Sequence, residues 1–289
     1  MEEQIRDGLR CLQLSGAIFV SAHLTAPWCY ESPAPAHLDK VLRPNGRRII
    51  LFHVFTEGQC VVQLASGGEP IEIIAGDILM FPFADQHVVG DPKLENPVEL
   101  GRQIPPPPWD KLPVIGFGGG GVPTSLVCGY LLSDDAPFNP VLASLPRVIR
   151  VRTKNGPLAR WIEASVQYAL SASTGRDFED PLLKRLPELL VMECLCEHAR
   201  QTTPDSHGWL AGLTDPIVGR ALGLMHRQPE RAWTLDELAK GAASSRSTLD
   251  ERFRGLLGRA PMSYLIAWRL QLAGRHLRST TQTLGEIAE

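Results

Sequence analysis

A chain of 289 residues with 44% apolar, 21% charged and 7% aromatic side chains is long enough for two cores, which excludes a peptide, a disulfide-stapled miniature or a disordered polymer. Its net charge of −3 hides an asymmetry, since residues 209–289 carry 11 Lys+Arg against 8 Asp+Glu while the rest of the chain is acidic. No run approaches the roughly 18–20 apolar residues of a membrane span, the start MEEQIRDGLRCLQ has no apolar signal core, and the six cysteines form no CxxC pair, so a cytoplasmic protein with reduced thiols and no membrane partner is expected.

From Ile49 to Val89, short β-branched or aromatic runs (IILFHVF, QCVVQLA, PIEII, ILMF, QHVV) alternate with turn residues at Glu57-Gly58, Ser66–Glu69 and Gly76-Asp77. This spacing predicts antiparallel strands that form a barrel or a sandwich. Residues 91–123 read as an irregular excursion, with prolines at 105–108 and glycines at 118–121, before a further strand TSLVCGYLL. GFGGGG formally satisfies G-x-G-x-x-G, but Val122-Pro123 and a strand follow it. No helix N-terminus is then available for a pyrophosphate, and a dinucleotide site is excluded.

After Pro157 the apolar period becomes helical. LARWIEASVQYAL is followed by DPLLKRLPELLVMECLCEHARQ, in which Leu182, Leu186, Leu189, Leu190 and Leu195 lie mostly three or four apart and Pro187 predicts a boundary or kink. QTTPDSHG is the linker candidate. From Trp209 onward every segment reads as helix: Thr214-Asp215-Pro216 is a start signal, Thr234-Leu-Asp-Glu237 a capping box, Ser245 an N-cap, Pro261 the opening of a helix to about Arg278, and Thr283-Leu-Gly-Glu286 a second capping box. The domains expected are 1–145, 146–208 and 209–289.

The helix ending at Gly241, the small-residue turn Gly241-Ala242-Ala243-Ser244, and the helix after Ser245 with Leu249 and Phe253 four apart form a helix-turn-helix pattern. Leu249, Phe253 and Leu256 are expected to face inward, leaving Arg246, Ser247, Asp250, Glu251 and Arg254 for the major groove. The plain alternative is a solvated helix face.

WTLDELAKGAASSRSTLDERFRGLLGRAPMSYLIAWRLQLAGRHL resembles the DNA-binding segment of the AraC/XylS family of bacterial transcription regulators, through Leu235, Leu238, Ala239, Ser245, Leu249, Arg252, Phe253, Gly258, Pro261, Tyr264, Leu265, Arg269, Leu270 and Ala273. The β half resembles members of that family whose effector module is a cupin barrel. The resemblance implies an α+β chain of two domains: an N-terminal all-β cupin barrel with trailing helices, and a C-terminal all-α helix-turn-helix domain. The second reading unit is expected to be incomplete, since the sequence stops at Glu289 inside the helix that should precede it. A truncated regulator rather than an enzyme is implied, binding double-stranded DNA under an unidentified small-molecule effector, with the region around 182–195 pairing two subunits as a homodimer. Behind the cap at Ser245, base edges would be met by Ser247, Asp250 and Glu251, the carboxylates accepting from cytosine N4, and phosphates by Arg246 and Arg254.

Gly76-Asp-Ile-Leu-Met-Phe-Pro82-Phe-Ala-Asp-Gln-His87 is similar to the second cupin motif, with Ala84 in place of the usual Gly and Asp91 in place of Asn. RPNGRR at 43–48 lacks the histidines and carboxylate of the first motif. Strand parity puts His53 on the face of Leu51, Cys60 on the expected partner strand, His87 in the motif and Cys128 in a later strand. Pointing inward together, these four would make a His2Cys2 set for Zn2+. The alternative is two small core cysteines and two histidines hydrogen-bonded within the barrel. Two further functions compete with the regulator: a metal-dependent cupin enzyme, which needs three ligands and an open position, and a fragment that pairs with partners without binding DNA.

Overall fold

The computed structural model describes residues 14–42, 47–105, 111–133, 145–153, 156–172, 181–201 and 208–280, together with 142, 285 and 286. The chain divides into two compact units, one of Leu14–Leu132 with Arg147–Cys194, the other dominated by Leu195–Glu289. Among the described residues no helix is long and apolar enough to cross a membrane.

The first unit contains β1 (Leu14–Thr25), β2 (Cys29–Glu31), α1 (Pro35–Leu42), β3 (Arg48–Glu57), β4 (Gln59–Leu64), β5 (Ile71–Ile74), β6 (Asp77–Phe81), β7 (His87–Gly90), β8 (Val98–Glu99), β9 (Val114–Gly118), β10 (Pro123–Ser133), β11 (Ile149–Arg152) and α2 (Pro157–Ala172). A further helix, α3 (Pro181–Gln201), runs through Pro187 without the expected boundary and crosses the division between the units. The strands form a six-stranded sheet ordered β11-β6-β3-β10-β1-β9 and a five-stranded sheet ordered β5-β4-β7-β2-β8. The expected cupin barrel is therefore not closed. Closure needs the outermost strands of the two sheets to pair with a matched stagger, whereas here the edge strands β8 and β5 are only two and four residues long.

A second departure lies at Glu57-Gly58. Instead of folding β4 back on β3 as a hairpin, this turn carries the chain into the other sheet, where β4 pairs antiparallel with β5 (Cys60↔Ile73) and β7 (Val62↔Val89). Gly58 makes that corner at φ 78°, and a Cβ there would stand 2.3 Å from the Pro123 carbonyl oxygen, so only glycine fits. Nor is the pairing all antiparallel: β1 with β9 and β2 with β8 run parallel.

Between the sheets lies one core. Val20, Ala22 and Leu24 of β1, Leu51 and Phe55 of β3, Leu79 and Phe81 of β6 and Cys128 of β10 meet Tyr30, Cys60, Val62, Ile73 and Val89 from the other sheet. Full burial of each large apolar side chain contributes roughly 1.5–3 kcal/mol. The alternate residues of β3 and β6 (Ile50, Phe52, Val54, Ile78, Met80) are buried as well, which explains why IILFHVF is a continuous apolar run rather than an alternating one. At one end of this sheet the buried Asp77 carboxylate accepts from Arg150 Nε (3.1 Å) and Nη2 (2.6 Å), tying β6 to β11.

The second unit is built from α4 (Trp209–Thr214), α5 (Val218–Arg227), α6 (Leu235–Gly241), α7 (Arg246–Leu257) and α8 (Pro261–Ser279). Its helix ends follow local chemistry. Asp215 accepts from the backbone N–H groups of Ile217 (2.9 Å) and Val218 (2.8 Å) to start α5. Thr234 and Glu237 cap α6 reciprocally, at 3.2 Å from Glu237 N to the threonine hydroxyl and 2.9 Å from Thr234 N to the carboxylate. α7 ends on Gly258 in the left-handed region, and α8 opens with Pro261. The helix expected from Thr283 lies outside the described residues apart from Gly285 and Glu286, as does most of the linker QTTPDSHG.

Candidate nucleic-acid interface and the buried histidines

α7 starts from the turn after α6, where Ala242 is fully buried and Ala243 takes φ 55°. Gly241 lets α6 approach α5, since a Cβ on it would stand 2.5 Å from Leu224 Cδ1. The Ser245 hydroxyl accepts from Thr248 N at 3.2 Å and also contacts the hydroxyls of Ser247 (3.0 Å) and Thr248 (2.8 Å). At 100° per residue Leu249 and Phe253 fall on one side, and both are completely buried; Leu256, expected with them, is only partly buried. The opposite side carries Ser247, Glu251 and Arg254, all exposed, with Asp250 half-buried on its flank; Arg246, exposed in the first turn, falls on the Leu249 side of the helix.

The arginines of this helix are not free cations. Arg246 Nε faces Asp236 of α6 at 3.3 Å. Arg252 Nη1 donates to Asp215 at 2.7 Å, so the carboxylate that starts α5 also holds α7. Arg254 Nε donates to Asp250 at 2.8 Å, one turn back on the same helix. Sequence reading missed all three pairs; only Asp250–Arg254 had a local signal, its spacing of four.

Beneath α7 is an aromatic cluster. The Phe253 ring meets Tyr264 edge-on with centroids 5.6 Å apart. The Tyr264 hydroxyl accepts from Trp209 Nε1 (2.9 Å) and lies 2.8 Å from His226 Nε2, while the His226 ring stacks 4.1 Å from Trp268. Burial lowers the pKa of His226 to about 3, with the Arg227 charge adding to the effect. This histidine is therefore a neutral interhelix residue, and Trp209 and Trp268 are core anchors.

In the sandwich, His53, His87 and Cys128 meet. His53 Nδ1 lies 3.0 Å from Cys128 Sγ, His53 Nε2 lies 2.8 Å from His87 Nε2, and His87 Nδ1 donates to the Asp85 carbonyl oxygen at 2.8 Å. Burial, reinforced by the neighbouring His87, lowers the pKa of His53 well below the usual range. Burial takes His87 to about 4, opposed in part by its bond to Asp85, and pushes the Cys128 thiol up to about 12. Neutral groups and one acceptor-only carbonyl fix every direction: His87 Nδ1–H to Asp85 O, His53 Nε2–H to His87 Nε2, and Cys128 S–H to His53 Nδ1.

That arrangement does not fit the expected Zn2+ set. Cys128 and His87 approach opposite nitrogens of the His53 ring, so one ion cannot take all three. Cys60 is in the same core but on the five-stranded sheet, with its pKa likewise pushed up to about 12, first by burial and then by Asp91 and Asp77. Among the described residues no group of three or more His, Cys, Asp or Glu could hold a metal ion.

A two-sheet unit joined in sequence to a capped helix-turn-helix is the build of a DNA-binding transcription regulator. Residues 5–200 match the model of a family described as cupin. An AraC-like transcription regulator of Streptomyces lividans is 30% identical over 264 residues, covering 88% of this chain and 84% of its own length. Another from Streptomyces antibioticus is 29% identical over 272 residues, covering 88% and 85%. The AraC-like transcriptional activator CuxR, a solved structure, covers 97% of this chain and 82% of its own at 14% identity, with a TM-score of 0.30. The chain belongs to the AraC/XylS family of transcription regulators with a cupin domain. Its relatives are regulators, and it is not an enzyme.

Proposed function

We propose that α7 enters the major groove of operator DNA with the face formed by Ser245, Arg246, Ser247, Asp250, Glu251 and Arg254, and that a small molecule bound by the sandwich unit controls this. The observation that carries the reading is the division of α7 itself: Leu249 and Phe253 fully buried on one side, a polar and arginine-bearing row on the other, behind a small-residue turn. In this assignment residues 1–145 are the effector module, 146–208 pair two subunits and 209–289 bind DNA. Exposed Leu189 on α3 and Tyr168 on α2 favour the pairing role. Arg246 sits at the start of α7, where a groove-bound helix meets the phosphate wall.

Gel-shift titration of the full chain at two salt concentrations tests the interface. Arg246→Ala should weaken binding to all duplexes alike and reduce the salt slope by about one. Binding unchanged by Arg246→Ala, Ser247→Ala and Glu251→Ala together would overturn the assignment. Sedimentation of Leu189→Asp beside the parent tests subunit pairing, which requires a shift towards monomer.

A further inference from the structure

Asp250 and Arg254 form a pair whose geometry goes past a generic basic face. The bond joins Arg254 Nε to Asp250 Oδ2 at 2.8 Å, with side-chain exposures of 60% and 36%. An exposed i,i+4 pair of this kind adds little to stability, so its main consequence is orientation. Held at Nε, the guanidinium keeps both terminal nitrogens unused by Asp250, as a planar fork of donors. The other two arginines of α7 are tied sideways, Arg246 to Asp236 of α6 and Arg252 to Asp215 before α5. On the helical wheel Arg254 lies with Ser247 and Glu251 on the row opposite Leu249 and Phe253, the part of the helix farthest from its own core. Gly255 follows it, where an added Cβ would meet nothing, so this turn of the helix is slim enough to sit deep in a groove.

We infer that Arg254, aimed by Asp250, reads one guanine of the operator by donating from its fork to O6 and N7. This rests on the proposed role of α7 and changes the part expected of both residues, since Arg254 would touch a base rather than a phosphate and Asp250 would act as a positioning residue. Chemistry favours the base. A phosphate brought to Arg254 would also meet the Asp250 carboxylate and be repelled, whereas a guanine edge presents two acceptors matched to the fork and no net charge. The same carboxylate weakens non-specific binding, which raises discrimination.

The test is selection of duplexes from a random library by the full chain, followed by affinity measurement at two salt concentrations. The parent should fix a guanine at one position of its half-site. Arg254→Ala should lose that preference, with about a 10- to 100-fold drop in discrimination there and no change in salt slope. Arg254→Lys, which keeps the charge without the fork, should lose it too, and guards against misfolding of the alanine variant. Asp250→Asn should broaden the same position and tighten binding to unrelated DNA, while Asp250→Glu, still able to reach Arg254, should restore the preference. A uniform loss over all sequences with a salt slope lower by about one would make Arg254 a phosphate contact and overturn the inference. Retention of the guanine in Arg254→Ala would overturn it as well. Failure of the parent to select any sequence would instead remove the groove-reading role of α7, and this pair with it.

Discussion

Each unit buries neutral histidine among aromatic rings, but the sandwich arranges its hydrogen bonds in series and the helical unit gathers them at one atom. In the sandwich, Cys128, His53 and His87 pass donors in one direction to the Asp85 carbonyl oxygen, and both nitrogens of each ring are used. In the helical unit the Tyr264 hydroxyl stands between Trp209 Nε1 and His226 Nε2, while the imidazole rests on Trp268. A series bridges two sheets that no backbone ladder joins; a hub ties α4 and α5 to α8 below α7. Removing the hub takes a hydroxyl partner from an indole and an imidazole at once, whereas the Cys128 end of the series is held only by weaker thiol bonds.

The largest effects should come from the rings that enclose the two systems. Phe81 stacks on His87 at 3.8 Å and Phe253 lies edge-on to Tyr264. Truncation of either to alanine should cost about 3–5 kcal/mol in urea denaturation. A cost for Phe81→Ala below about 1 kcal/mol would mean that packing does not hold the histidine chain, and the series would then have to stand on its polar bonds.

Acid should expose the shared property. His87 and His226 have folded pKa values of about 4 and about 3, below the ordinary 6.5, and His53 is shifted the same way. As pH falls below 6.5 the unfolded chain takes up protons that the folded chain refuses, so stability decreases until the folded pKa is reached. For His87 alone the loss is about 3 kcal/mol. Cys60 and Cys128, raised to about 12, act at the other end: their contribution is intact below about pH 9, the unfolded value, and is lost as pH rises towards 12. Urea midpoints should form a plateau between about pH 7 and 9, and His87→Gln should flatten the acid side. An acid slope unaltered in that variant would show that His87 is already charged.

Series and hub separate at the level of a single atom. Tyr264→Phe leaves both the Trp209 indole N–H and His226 Nε2 without that partner and should cost about 1–3 kcal/mol. Cys128→Ala takes the thiol from His53 Nδ1 and from the Tyr30 hydroxyl and should cost less in polar bonding, because a thiol is a weaker hydrogen-bond partner than a hydroxyl, with a small cavity added. Equal losses in thermal denaturation would erase the distinction drawn here between the two designs.

What could be read from sequence was what is local. Thr234–Glu237, Ser245, Pro261 and the four-residue spacing of Leu249 and Phe253 specify their structure within one or two turns, and the helical unit followed them. The sandwich depends on partners far apart in the chain: alternation in QCVVQLA suits pairing with β3 as well as with β7, so nothing in it announces that Gly58 turns the strand into the other sheet. Parity brought His53, His87 and Cys128 to one core, but the edge of the His53 ring at which Cys128 arrives depends on side-chain packing. Arg252 and Asp215, 37 residues apart, carried no signal; Asp250 and Arg254 carried one in their spacing.

The smallest expected effect tests how each system is approached by its backbone. Ala84, three residues before His87, has φ 52°, and Ala243 in the turn before α7 has φ 55°. A side chain in the left-handed region costs about 1 kcal/mol or more, and glycine removes that cost while adding chain entropy to the unfolded state. Ala84→Gly and Ala243→Gly should therefore each stabilise by no more than about 1 kcal/mol in denaturant titration. The two should differ in a second respect. Ala84 lies next to Asp85, whose carbonyl anchors the series, and whose side chain is held by Arg147; the anchor has a support outside the turn and should survive. Ala243 lies between the α6 end and the Ser245 cap, beside the Ala242 carbonyl that accepts from Arg220 of α5 at 3.3 Å. If Ala243→Gly instead destabilises, the alanine methyl is restraining the entry of α7 more than its backbone angle costs.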